Sequence, residues 1–171
     1  MSYSTTVGVD LAKNVIQVSV VSGRGKELCS RSLRRKKFAE FLCKQKRSVV
    51  AFESWATSHY WARAAKGDGT EARFIPAKAV APFRQGHKTD SNDALAVAEA
   101  ARRPKIKEAP MKTVEQQGLQ AIHRARELLI QECTALSNHL RGLLMEFGIV
   151  IPKGFASLLR AVPEILEDGE N

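Results

Sequence analysis

The spacing of apolar positions changes several times along the chain, and each change marks an element. Thr6-Val7-Gly8-Val9-Asp10 is a short β-prone run ending in an acid, and Val15 to Val21 alternates around β-branched residues as a second strand should. Leu11-Ala12-Lys13-Asn14 between them is short enough for a hairpin connection. A third strand, about Lys26 to Ser32, follows the turn Ser22-Gly23-Arg24-Gly25, so the opening reads as an antiparallel meander. From Arg31 to Arg47 the period becomes helical: Phe38, Phe41 and Leu42 make an apolar stripe on a segment with eight Lys or Arg and one acid, Glu40. Ser48 to Phe52 is then a continuous apolar run, the pattern of a buried central strand, and Glu53 ends it.

The second half continues the alternation. A helix capped near Ser58 runs to Lys66 and is stopped by Gly67-Asp68-Gly69. Glu71 to Ile75 is a strand, and Pro76 starts a helical turn through Val80 that Pro82 limits. The loop Arg84-Gln85-Gly86-His87-Lys88 leads into a helix rich in alanine that reaches Arg103 and is closed by Pro104, with Thr89, Asp90 or Ser91 as its N-cap. Strand, helix, strand, helix predicts α/β architecture with parallel pairing after the meander. From about Thr113 to Phe147 no proline intervenes. Apolar residues there advance from Leu129 through Cys133, Leu136, Leu140 and Leu143 to Phe147 in alternating steps of four and three, the spacing of a coiled-coil seam. Packing on a parent domain would give a similar stripe, but a helix this long overhangs a domain this small, which favours an interaction helix. Gly148 to Gly154 ends it, and the final stretch, with Glu164, Glu167, Asp168 and Glu170, reads as a linker or tail.

Composition narrows the partners. The chain of 171 residues carries 27 Lys and Arg against 18 Asp and Glu, a formal charge of +9, which points first to nucleic acid and second to an anionic membrane surface. No run approaches the roughly 18 apolar residues of a membrane span, and Met1-Ser2-Tyr3-Ser4 lacks the features of a signal peptide, so a cytoplasmic location is expected. Cys29, Cys43 and Cys133 lack the spacing of a disulfide framework or a zinc site. The cations Arg34, Arg35, Lys36 and Lys37 are either a solvated helix face or a phosphate-contacting surface.

Four acids carry the candidate chemistry. Asp90 and Asp93 would share one face of the first turn of their helix, where the helix dipole alone explains carboxylates. Asp10 lies at a strand end, where a carboxylate is more often a turn residue than a ligand. Should Asp10, Glu53, Asp90 and Asp93 converge, they could not all stay ionised without a cation, and hard divalent ions such as Mg²⁺ or Mn²⁺ are expected. Two such ions, about 3.5–4 Å apart, can clamp both oxygens of an in-line phosphoryl displacement. Lys13, Arg84, His87 and Lys88 lie close to these acids in sequence and are further candidate nucleic-acid contacts; His59 and His87 have little claim to be metal ligands.

The residues also carry a family resemblance. Val7-Gly8-Val9-Asp10-Leu11-Ala12-Lys13, Phe52-Glu53 followed by Ser58-His59-Tyr60-Trp61-Ala62-Arg63, and Lys88-Thr89-Asp90-Ser91-Asn92-Asp93-Ala94 resemble the DEDD transposases of bacterial insertion sequences, a family similar to the Piv DNA invertases. Val114-Glu115-Gln116-Gln117 and Gly148-Ile149-Val150-Ile151-Pro152 look like further signature segments, and the resemblance covers about residues 5 to 155. It implies a RuvC-like, RNase H-type mixed sheet flanked by helices at 1–110, a coiled-coil assembly helix at 111–148 and a linker or tail at 149–171. By position, Asp10, Glu53, Asp90 and Asp93 become the catalytic and metal-binding tetrad, working with Mg²⁺ or Mn²⁺, as two ions, in DNA transposition by a nucleoid-associated bacterial protein.

The same resemblance implies DNA as partner, a guide (bridge) RNA and a homo-oligomer through the long helix. Two departures stand out: Trp55-Ala56 replaces a frequent Cys-Gly pair, and a C-terminal domain with a serine nucleophile is expected beyond Asn171. A stand-alone RuvC-like nuclease and a truncated nucleic-acid-binding or dimerisation module are the competing readings.

Overall fold

The computed structural model describes residues 5–45, 47–55, 57–67, 70–87 and 89–167. The expected signal-free terminus at 1–4, the stop at Asp68-Gly69, Ala56, Lys88 and the acids Asp168 and Glu170 lie outside the described residues. The chain divides into two compact units, 1–113 and 114–171.

In the first unit, strands β1 (Thr5–Leu11), β2 (Val15–Ser22) and β3 (Glu27–Arg34) form the expected meander, with β1 and β2 antiparallel and β2 and β3 antiparallel. Helix α1 (Arg35–Cys43) leads to β4 (Ser48–Glu53), helix α2 (Ser58–Gly67) to β5 (Glu71–Ile75), and both later strands pair in parallel. The sheet order is β3-β2-β1-β4-β5, a mixed five-stranded sheet. β4 therefore lies between two neighbours, as its unbroken apolar run requires. One expectation needs correction. Arg31 to Arg34 belong to the strand and not to the basic helix, because Ile16 and Val15 of β2 continue the ladder opposite Leu33 and Arg34.

Strand alternation sorts side chains onto two faces. Val7, Val9, Val50, Phe52 and Phe74 meet Phe38 of α1 and Trp61, Ala62 and Ala65 of α2 in one buried cluster. On the other face Ala51 and Ile75 meet Val80 and the alanine-rich side of α4 (Asp90–Ala101). The short helix α3 (Ala77–Val80) and a 3-10 turn (Ala81–Phe83) connect β5 to the loop before α4.

The second unit contains α5 (Val114–Glu146), the long helix that the sequence predicts. It also contains α6 (Phe155–Glu167), where the sequence was expected to give a linker or tail. Phe155, Leu158, Leu159 and Val162 have helical spacing, and Leu158 is buried. The acids at the end and Pro163 inside the helix obscured that pattern. Arg141 of α5 donates to the carbonyls of Pro152 and Gly154, fastening the turn that leads into α6. Among the described residues no helix is long and apolar enough to cross a membrane.

Candidate functional site

The site begins with a missing side chain. A Cβ on Gly8 would lie 2.0 Å from the Ala94 carbonyl oxygen and 2.5 Å from the Ala98 amide nitrogen, so α4 can sit against β1 only because that atom is absent. Asp10 is two residues further along β1 and therefore faces the same side, toward α4. The parallel register places Gly8 beside Ala51 and Val9 beside Phe52, so one more step along both strands brings Asp10 and Glu53 to the same sheet end. Ala51 already faces α4, and Glu53 shares its face.

The helix supplies the other two acids. Thr89 is the N-cap, its hydroxyl accepting from the Asn92 N–H at 3.2 Å, and Asp90 and Asp93 occupy the first turn. A polar relay pins this end of α4: Ser91 and Ser30 of β3 are joined through their hydroxyls at 2.9 Å, and the Gln17 amide donates to Ser30 at 2.8 Å. Gln17 is the residue paired with Asp10 across β1 and β2. Sequence reasoning missed this relay, because three polar side chains on strands and a helix start carry no periodic signal.

Arg84 joins two of the acids. Its Nη2 donates to Glu53 Oε2 at 2.9 Å and its Nε to Asp93 Oδ1 at 2.8 Å. Asp93 is nearly buried, which only a paired carboxylate tolerates readily. The Asp10 carboxyl is pushed above the ordinary carboxylate range, chiefly by burial and then by the charges of Asp93, Asp90 and Glu53, while Arg84 opposes the shift. Asp10 thus feels the charges of the other three acids at this end of the sheet. Among the described residues, no three His, Cys, Asp or Glu side chains are gathered as a ready metal-binding group, and the guanidinium of Arg84 joins Glu53 to Asp93 instead. Arg84, a candidate nucleic-acid contact from its place in the sequence, is engaged here with two of the acids.

The other basic candidates fall around this end or behind it. Register places Arg34 opposite Val15, beside the hairpin that holds Lys13, so both lie at the sheet end where Asp10 and Glu53 are found. Arg35 donates to the Lys13 carbonyl at 3.3 Å, with its guanidinium 5.3 Å from the Trp61 ring centroid. Lys36 and Lys37 are exposed on α1, where Lys37 pairs with Glu40 at 2.8 Å. His87 is exposed, and its carbonyl accepts from the Asn92 amide at 2.8 Å. His59 has a structural role, in which its Nδ1 accepts from the Lys112 N–H at 3.2 Å, and burial, then Lys112 and Arg63, lower its pKa.

A mixed sheet in this order, with helices on both faces, is a RuvC-like fold. RuvC of T. thermophilus, solved in complex with a Holliday junction substrate, is similar in fold over 61% of this chain and 99% of that chain, with a TM-score of 0.50 and 13% identity. The chain belongs to the DEDD transposase family of the IS110 type, whose family model, described as "Transposase", matches residues 7–149. A probable family 20 transposase of Pseudomonas aeruginosa is 41% identical over 84% of this chain and 43% of its own length. The transposase for insertion sequence element IS1111A of Coxiella burnetii is 35% identical over 94% of this chain and 44% of its own, and that for IS1328 of Yersinia enterocolitica 34% identical over 94% and 48%. The chain spans less than half the length of these curated relatives.

Proposed function

We propose that the first unit is the metal-dependent strand-cleaving part of a mobile-element transposase, with Asp10, Glu53, Asp90 and Asp93 as its catalytic acids. The observation that carries this reading is the Arg84 bridge between Glu53 and Asp93 beside an Asp10 whose carboxyl is raised by burial and then by the charges of the other three acids. Acids from two strands and a helix face one sheet end, where the charges of three of them oppose ionisation of Asp10, and this costs stability unless a cation is to be held. The donor set, all carboxylate oxygen, suits Mg²⁺ or Mn²⁺. Such ions, as a pair, would polarise a phosphodiester and lower the pKa of bound water.

The chain's own residues do the rest. Asp10 and Glu53, on rigid strand ends, and Asp90 and Asp93, on a capped helix turn, would hold the cations in a fixed frame. Lys13, Arg34, Arg35, Lys36, Lys37, His87 and Lys88 would receive the DNA backbone, and Arg84 would move its guanidinium from the acids to phosphate as the cations enter. Strand joining would use the serine that the family resemblance assigns to a further domain, and a bridge RNA would choose the DNA. Exposed Leu129, Leu136, Leu140 and Leu143 on the coiled-coil spacing support self-association through α5.

The test is titration calorimetry of Mn²⁺ into the wild-type chain, Asp10→Ala and Asp90→Ala, with folding checked by circular dichroism. Binding that is lost in both folded variants is expected. A folded wild type that binds no Mn²⁺, or variants that bind as well as wild type, would sink the assignment.

A further inference from the structure

A concavity in the first unit, not lined by the four acids, has a cavity volume of about 670 Å³, inside the roughly 300–1,000 Å³ range of small-ligand sites. Its walls come from the β2–β3 turn through Arg24, the 3-10 turn and following loop through Phe83 and Gln85, and α4 with the residues just beyond it through Asn92, Arg102 and Arg103. Positions 92, 95, 99 and 102 follow steps of three, four and three, so one helical stripe forms the long wall. At 1.5 Å per residue that wall runs about 16 Å from Asn92 to Arg103.

Its position relative to the acids is set by chain adjacency. Phe83 and Gln85 flank Arg84, and Asn92 precedes Asp93, so the cavity and the carboxylate cluster are built from alternate residues of the same two segments. The wall then leads from the acid-bearing start of α4 toward its other end.

The lining is selective in its chemistry. Three guanidinium groups, of Arg24, Arg102 and Arg103, face one carboxylate among the described lining residues, that of Glu99, leaving two positive charges. Arg102 acts as a strut: its Nη1 donates to Glu99 at 3.0 Å and its Nη2 to the Gly23 carbonyl at 3.0 Å. Gly25 makes room for that strut, since its φ of +93° suits glycine and a Cβ would lie 2.9 Å from Arg102 Nη1. Arg24 is exposed, and Arg103 is well exposed with only a long 3.9 Å pairing to Glu99 and a guanidinium 5.5 Å from the Phe83 ring centroid. A flat cation beside an aromatic ring, with two carboxamides at the same cavity, offers stacking and hydrogen bonding to a base and charge to its phosphate.

We infer that this cavity takes an unpaired nucleotide of the nucleic-acid strand that enters the acid site, an inference that rests on the nucleic-acid reading of that site. A base within a duplex has its faces stacked and its pairing edge used, whereas a concave site with a ring and carboxamides rewards a base that is out of the stack. The shared chemistry, base plus phosphate, fits a displaced DNA strand or an RNA strand, and the experiment separates them.

Fluorescence anisotropy of labelled oligothymidylate, oligouridylate and a mixed-sequence duplex is measured in EDTA, so that metal at the acids contributes nothing. Three variants spare the Arg102 strut: Arg24→Gln/Arg103→Gln, Phe83→Leu and Arg103→Lys, each checked by circular dichroism. The double variant is expected to weaken single-strand binding about tenfold and to reduce the slope of log affinity against log salt by about 1.4, the value for two lost phosphate charges on a single strand. Phe83→Leu keeps apolar volume but loses the ring face; about a tenfold loss on single strands and none on the duplex is expected. Arg103→Lys keeps charge and loses flat stacking, giving an intermediate loss. The oligonucleotide that shows the larger loss identifies the source as DNA or RNA, and equal losses mean that the cavity accepts both. Unchanged variants beside a binding wild type, or equal losses on duplex and single strand, overturn the inference alone. A wild type that binds none of the probes overturns it together with the nucleic-acid reading of the acid site.

Discussion

The two faces of the sheet are built from residues of different size. Behind the sheet, Phe38, Phe52, Trp61 and Phe74 fill the space to α1 and α2, with Phe38 and Trp61 edge to face at a centroid distance of 4.9 Å. In front, Gly8, Ala51, Ala94, Ala96, Ala98 and Ala100 let α4 approach backbone to backbone. Each buried large side chain contributes about 1.5–3 kcal/mol, so the aromatic face supplies much of the stability. The small face supplies closeness, and closeness is what brings a helix start within reach of two strand ends. A thick core there would hold Asp90 and Asp93 away from Asp10 and Glu53.

Breaking the small face should have the largest effect. Gly8→Val would drive a branched side chain into the Ala94 carbonyl and is expected to cost more than about 4 kcal/mol, read as loss of the unfolding transition in urea. Phe38→Leu on the aromatic face, a swap of one apolar side chain for another, should cost about 1–2 kcal/mol and leave Mn²⁺ affinity unchanged. Should Phe38→Leu alter Mn²⁺ binding while Gly8→Ala does not, the division of labour between the faces is wrong.

Arg84 sharpens the comparison on the small face. Arg84→Gln removes the cation that joins Glu53 to Asp93, so the metal-free chain should lose about 1–3 kcal/mol of stability while Mn²⁺ binds about threefold to tenfold more tightly. A purely structural arginine would move stability and leave affinity the same or weaker. Paired melts in EDTA and in Mn²⁺ distinguish the two.

The smallest effect concerns pH. Because the Asp10 carboxyl is raised in the folded chain, the native state holds its proton more tightly than the unfolded state does, and that contribution is present in acid and lost as pH rises through the raised value. Asp10→Asn should therefore melt higher than wild type in EDTA at neutral pH, with the difference closing below the ordinary carboxylate range. A gap that widens toward acid would reverse the sign and the argument.

How much of this was legible depends on the range of the interaction. The meander, the buried run of β4 and a helix cap at Thr89, Asp90 or Ser91 were readable because alternation, continuous apolarity and capping are local, and the structure puts the cap at Thr89. The extent of β3 was not, since Arg31 to Arg34 become strand only by pairing with β2. α6 was concealed by its acids and Pro163 although its apolar spacing was present. The four acids were named from their positions and the family resemblance. The double attachment of Arg84, the Gln17, Ser30 and Ser91 relay and the α4 cavity had no sequence signal, because each joins residues far apart in the chain.

By itself the sequence determined the kinds of element, their order, the basic character and the acids at element ends, since these follow from side-chain chemistry and short-range periodicity. Only the tertiary structure decided that β1 and β4 run in parallel with Asp10 and Glu53 at one end, and that the absent Cβ of Gly8 lets α4 deliver Asp90 and Asp93 to them. The reason is steric and electrostatic: which backbones touch, and which cation neutralises the acids so gathered, are settled by packing in three dimensions.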